Sequence, residues 1–191
     1  MIRVTPPPKP SDFDTKVRQP GNAWLAKNLD PKKDPKNYWR HCKSDLANGF
    51  HNLCAYSAMY EPVGTVDHYL CTKNYRELAY EWHNYRYASG WINSSKQNLD
   101  DRILDPFDVG DNWFEIVLPS LELRLSDRIP DRERKRAEFT LERLHLRDDE
   151  RVVRQRQEWY RLFIDDGLPL KILEKKAPLI ARAVRKQQKH Q

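Results

Sequence analysis

The chain has no apolar run approaching the roughly 18 residues that a membrane-spanning helix needs, and its mean hydropathy is −0.91. A spanning helix is therefore excluded from the expectation. Cysteine is scarce: Cys42, Cys54 and Cys71 are odd in number and irregularly spaced, which argues against a disulfide framework. The opening residues MIRVTPPPKP lack the apolar segment of a secretion signal. A reducing cytoplasmic location with no membrane role is the expectation. No internal repeat is visible. The excess of positive charge is small as well, since 34 Lys and Arg stand against 28 Asp and Glu for a net +6. That balance permits attraction to phosphate polyanions without requiring it.

Aromatic residues are what the chain has in quantity. Six Trp, nine Tyr and six Phe among 191 residues, with 32% charged side chains, describe a soluble globular protein whose core and anchoring fall largely to rings. The length suits one sizeable domain with extensions. Residues 1–36 carry Pro6, Pro7, Pro8, Pro10, Pro20, Pro31 and Pro35, which predicts an extended arm lying over the domain, anchored by Trp24 and Leu25. Tyr38, Cys42 and Leu46, at steps of four before Gly49, predict a helix.

Two short strands are expected next, in VGTVDHYL and AYEWHNYRYA, joined by a loop over residues 71–78. The pattern NSSKQNLDDRIL predicts a helix starting at Asn93 and stopped by the Asp105-Pro106 turn. One or two further strands follow. Residues 130–191 read as helical, with Ala137, Leu141 and Leu144 on one face and Val152, Trp159 and Phe163 on another. Asp148 is a candidate N-cap, Gly167 a stop, and Pro178 the start of a last helix. Lys and Arg outnumber Asp and Glu in this tail, which either supplies a basic face or simply solvates the helices. The expected fold class is α+β, divided as an arm over 1–36, a central domain over 37–128 and a helical extension over 129–191.

Within the central window, Asp67-His68, Asn84 and Asn93 are the residues with chemistry to offer. Asp67 and Asn93 supply hard oxygen donors suited to Mg²⁺, which keeps several waters and binds through one or two protein oxygens plus substrate phosphate. His68 can take a proton from water near neutral pH. Asn84 can fix the imidazole, or the loop around it, by hydrogen bonds. These are the parts of metal-assisted phosphodiester hydrolysis.

These residues resemble the HNH (His-Me finger) endonucleases. The likeness lies in VDHYL, YEWHNYR and INSSK, with Asn84 and Asn93 nine positions apart and Trp82 two before Asn84. It covers about residues 50–110. The resemblance implies a ββα-metal core, Asp67 and Asn93 as ligands of Mg²⁺ or Mn²⁺, His68 as general base, Asn84 as the structural asparagine, and Lys96 placed to contact a phosphate. Many members brace the motif with zinc on two C-x-x-C pairs; here those positions hold Cys54, Ser57, Ser89 and Ile92. A tetrahedral zinc site lacks its donors, so no structural zinc is expected and Tyr56, Tyr60, Trp82, Tyr85 and Trp91 become the expected brace.

The function so implied is Mg²⁺-dependent cleavage of DNA, with Lys73, Arg76, Arg86 and Lys96 as candidate phosphate contacts. Small HNH proteins of this kind are similar to bacterial anti-phage defence effectors, including Septu-type nucleases that partner an ATPase. Two alternatives stand beside it: a non-catalytic adaptor on a degenerate HNH fold that binds nucleic acid or protein, and a nuclease directed at RNA.

Overall fold

A computed structural model describes residues 1–189. The chain is α+β, with helices α1 (Gln19–Lys27), α2 (Lys43–Gly49), α3 (Gly90–Lys96), α4 (Asp131–Arg143), α5 (Glu150–Ile164), α6 (Leu170–Lys176) and α7 (Pro178–Gln188). Two two-stranded antiparallel sheets complete it: β1 (Thr65–His68) with β2 (Tyr85–Ala88), and β3 (Phe114–Val117) with β4 (Glu122–Leu125). Among the described residues no helix is long and apolar enough to cross a membrane.

The arm departs most from expectation. Residues 14–27 are helical, a π turn over Asp14–Arg18 running into α1. Pro20 does not prevent this: it lies where the π turn passes into α1, and the helix runs on with one backbone donor missing there. Nor does the arm merely lie on the surface. Met1, Phe13 and Val17 are buried in the same continuous core that reaches Val184. Gly21 packs so close to Tyr80 that a Cβ would stand 2.3 Å from its ring. The Trp82 indole N–H donates to the Pro7 carbonyl at 2.8 Å, and Phe13 meets Trp82 and Tyr85 edge to face. These aromatic contacts hold the arm against the loop between β1 and β2.

The second strand begins later than its alternation suggests, because Trp82–Asn84 close a 3₁₀ turn before Tyr85. Its four residues are all buried, so this strand is covered on both faces and no polar alternation could have marked its start. Pairing sets Asp67 opposite Arg86 and His68 opposite Tyr85. α3 then starts at Gly90, three residues before the expected Asn93, and ends at Lys96. Asn93 is therefore inside the helix rather than its cap; its N–H donates to the Ser89 carbonyl at 3.0 Å.

In the C-terminal segment Ala137, Leu141 and Leu144 are buried as their spacing predicts, and so is Val152, with Trp159 and Phe163 packed at the edge. The cap of α5 is Asp149 rather than Asp148, its carboxylate accepting from the Arg151 N–H at 3.0 Å. Gly167 takes a left-handed φ of 69° just after α5, a conformation that favours glycine. α7 begins at Pro178 as expected. Arg156 of α5 is buried with no carboxylate partner among the described residues and donates to the carbonyls of Leu121, Arg147 and Leu146 at 3.0, 2.8 and 2.5 Å. It ties the tail to the start of β4, so the extension shares the core of the sheets.

Candidate active site

Asp67 and His68 are the last two residues of β1, and adjacent side chains on a strand point to opposite faces. Asp67 faces α3, where the Lys96 ammonium lies 3.0 Å from Oδ1. Oδ2 accepts from the Tyr56 hydroxyl at 2.6 Å. Burial, followed by the charge on Asp67, pushes the Tyr56 phenol well above its ordinary value, so it stays a donor. Lys96 also donates to the His68 carbonyl at 2.6 Å and is 0% exposed.

His68 faces the other way, edge-on to Trp39 and Tyr85 with ring centroids at 4.7 and 5.1 Å. Its Nε2 lies 2.9 Å from the Ala79 carbonyl. A carbonyl can only accept, so Nε2 carries the proton and Nδ1 holds the free lone pair. Burial holds the imidazole below its ordinary value, and Lys96 adds to this; the Ala79 carbonyl and Asp67 oppose it. His68 is thus a neutral base with a defined tautomer at neutral pH.

The loop carrying Ala79 is pinned by Asn84. Its Nδ2 donates to the carbonyls of Leu70 and Leu78 at 2.9 and 3.3 Å, and its Oδ1 accepts from the Leu70 N–H at 2.8 Å. Asp100 anchors the same loop through the Cys71 N–H and the Asn74 amide. Asn84 is 2% exposed and positions the loop without facing the cavity. Replacing it with Ala leaves three part-buried backbone groups without this partner, so Asn84→Ala is expected to cost about 1–3 kcal/mol and to speed hydrogen exchange at the Leu70 amide. Protection unchanged at Leu70 would refute the pinning role.

A cavity of about 500 Å³ opens beside this arrangement. Asp67, His68, Lys73 and Asn93 line it together with Ser94 and Gln97. Asp67, His68 and Asn93 all border this cavity although Asp67 and His68 leave β1 on opposite faces, and Asn84 lies behind them. The structure separates the four cations assigned to phosphate contact. Lys73 is exposed at the cavity. Arg76 instead donates to the carbonyls of Lys33 and Asn28 at 2.5 and 3.2 Å and lies over Trp24, tying down the arm. Arg86 is buried in a bidentate pair with Asp105 at 2.8 and 2.5 Å, its guanidinium 3.6 Å from the Phe107 ring centroid. Lys96 is consumed by Asp67. Both reassignments to burial follow from desolvation: a charge removed from water must be paired where it lies.

Three roles had no signal in the spacing: Tyr56 on Asp67, the Ala79 carbonyl on His68, and Asp105 as the partner of Arg86. Tyr56 was marked in advance only as a bracing aromatic and Asp105 only as part of a turn.

For a metal, the donor set is Asp67 and Asn93. Among the described residues no three His, Cys, Asp or Glu side chains group to hold an ion. An ion here would rest on one carboxylate, one amide, water and substrate oxygens, a set that suits hydrated Mg²⁺. Asp67 Oδ1 already faces the Lys96 ammonium and Oδ2 the Tyr56 hydroxyl, so an ion would have to share or displace these partners. The Cys54 thiol lies 3.8 Å from the Ser89 hydroxyl and accepts from the Ser89 N–H at 3.4 Å. No family model and no curated protein sequence matches this chain. The functional reading therefore rests on the site itself.

Proposed function

We propose that the chain is a metal-dependent endonuclease that hydrolyses DNA phosphodiester bonds at the cavity between β1, α3 and the loop that follows β1. In this reading β1, β2 and α3 form a ββα-metal core of the HNH type. The observation that carries it is the commitment of His68 Nε2 to the Ala79 carbonyl, in a cavity that Asp67 and Asn93 also line. The meeting of Cys54 and Ser89 is compatible with it, since it joins the two segments that zinc braces in many of the HNH proteins the sequence resembles.

Asp67 and Asn93 would hold Mg²⁺ or Mn²⁺, which when bound neutralises charge developing on the phosphate. His68 Nδ1 accepts a proton from water as the water oxygen bonds to phosphorus. The bond from phosphorus to the leaving oxygen breaks, and that oxygen takes its proton from solvent. Asn84 and Ala79 hold the imidazole in the tautomer this requires. Lys73 is the exposed cation of the cavity and the candidate phosphate contact.

A second reading, the non-catalytic adaptor, is favoured by one observation: both oxygens of Asp67 are already engaged, by Tyr56 and Lys96. Metal binding separates the two. Mn²⁺ titrated into the chain and followed by electron paramagnetic resonance is expected to bind, and Asp67→Asn to weaken that binding at least tenfold. Supercoiled plasmid is expected to be nicked or linearised with Mg²⁺ or Mn²⁺ and left intact with chelator. Intact plasmid with either metal, and no Mn²⁺ bound, would leave the adaptor reading. Faster cleavage of single-stranded RNA than of duplex DNA would redirect the proposal to RNA.

A further inference from the structure

A second depression, of about 460 Å³, lies against α3 and is lined by Trp91, Ser94, Gln97, Arg143, His145 and Arg151 among others. Ser94 and Gln97 also line the candidate active site, so the two depressions meet over α3. The cations come from the C-terminal helices: Arg143 ends α4 and Arg151 lies in the first turn of α5, with exposed His145 in the connection between them. Arg151 is held in place twice. Asp149 accepts from its Nε and Nη2 at 2.9 and 3.0 Å, and its guanidinium carbon lies 4.3 Å from the Trp91 ring centroid. Those bonds leave Nη1 unused. Arg143 is exposed, and the neighbouring arginines of α4 and the following turn, Arg136 and Arg147, take the carboxylates of Glu133, Glu138 and Glu122.

Two guanidiniums and an imidazole thus converge on one depression with a single carboxylate, Asp149, among them. Arg151, fixed by Asp149 and Trp91 with Nη1 free, and exposed Arg143 suit phosphate oxygens. A stacked arginine also loses little freedom on binding.

We propose that this depression is a second phosphate subsite, which holds the DNA backbone beside the bond presented to His68. The ligand class rests on the nuclease reading; the site itself rests on the cations. On this inference α4 and α5 extend the substrate groove, and their basic residues are more than a solvated face.

The test measures binding in the absence of cleavage, with a fluorescent DNA duplex and His68→Ala protein, across a salt series. Each phosphate contact contributes about 0.9 to the slope of log affinity against log salt. Adding Arg143→Ala and Arg151→Ala is expected to weaken binding about tenfold and to lower that slope by about 2. Arg143→Glu alone, which breaks no ion pair among the described residues, is expected to weaken binding without lowering the melting temperature. The pair Lys171→Ala and Lys175→Ala, on exposed positions of α6, serves as the charge-matched control and is expected to change the slope little. An unchanged slope in the Arg143 variants, an equal fall in the α6 control, or no binding of DNA at low salt overturns the inference. Cleavage is not read, so a chain whose slope falls as expected but which never cuts plasmid sinks the nuclease reading alone. A chain that cuts with its slope unmoved sinks only this subsite.

Discussion

His68→Ala is expected to lower plasmid cleavage by roughly 10²–10⁴-fold, the usual contribution of a general base. The expectation follows from the tautomer. Because Nε2–H is spent on the Ala79 carbonyl, Nδ1 alone can receive the proton of the attacking water, and no other histidine lines the cavity among the described residues. Alanine also opens space beside Trp39 and Tyr85, so the loss has to be separated from misfolding. His68→Gln does this: its amide can still donate to the Ala79 carbonyl and fill the ring's place, but it offers no base. Equal loss in both variants, with Mn²⁺ binding retained, assigns proton transfer to His68. Activity surviving in the glutamine variant would make the ring a packing element and sink the mechanism.

Arg86→Met is expected to be the most destabilising single change near the site. It leaves the Asp105 carboxylate, 8% exposed, without its bidentate partner, and breaking a buried pair in this way costs about 3–5 kcal/mol. For a chain of this size that lowers the melting temperature by roughly 10 °C. Arg86 also donates to the carbonyls of His83 and Tyr85 at 2.8 and 2.9 Å, which adds to the cost. Removing both charges with Arg86→Met and Asp105→Leu is expected to recover part of the stability, because the uncompensated carboxylate is gone. The competing view, in which Arg86 touches phosphate, predicts a fall in the salt slope of DNA binding below the melting transition. A lowered slope with an unchanged melting temperature would refute the structural role.

The contrast between Arg86 and Lys73 indicates what a linear pattern can carry. Both are cations in the same aromatic window, and each was an equal candidate for phosphate. Their difference arises from strand pairing: a central position on β2, covered on both faces, forces Arg86 inward, whereas Lys73 sits exposed on a loop. Lys96 has the same history, because one turn beyond Asn93 in α3 its ammonium reaches back to Asp67. The arm shows a similar override. Seven prolines argued for extended chain, yet the helix runs on through its one proline, and Phe13 and Val17 find apolar partners from distant sequence.

By itself, the sequence determined the α+β class, the order strand, loop, strand, helix around Asp67, and the helical tail from residue 130. It also determined which side chains could do chemistry, since hard oxygens and an imidazole are properties of residue type. Only the tertiary structure decided where each charge ends. Tyr56 and Lys96 reach Asp67 from 11 residues before it and 29 after, by the difference of their numbers, and Asp105 closes on Arg86 across α3. Those pairings follow from desolvation, which depends on burial, and burial is a property of the packed chain that no local spacing records.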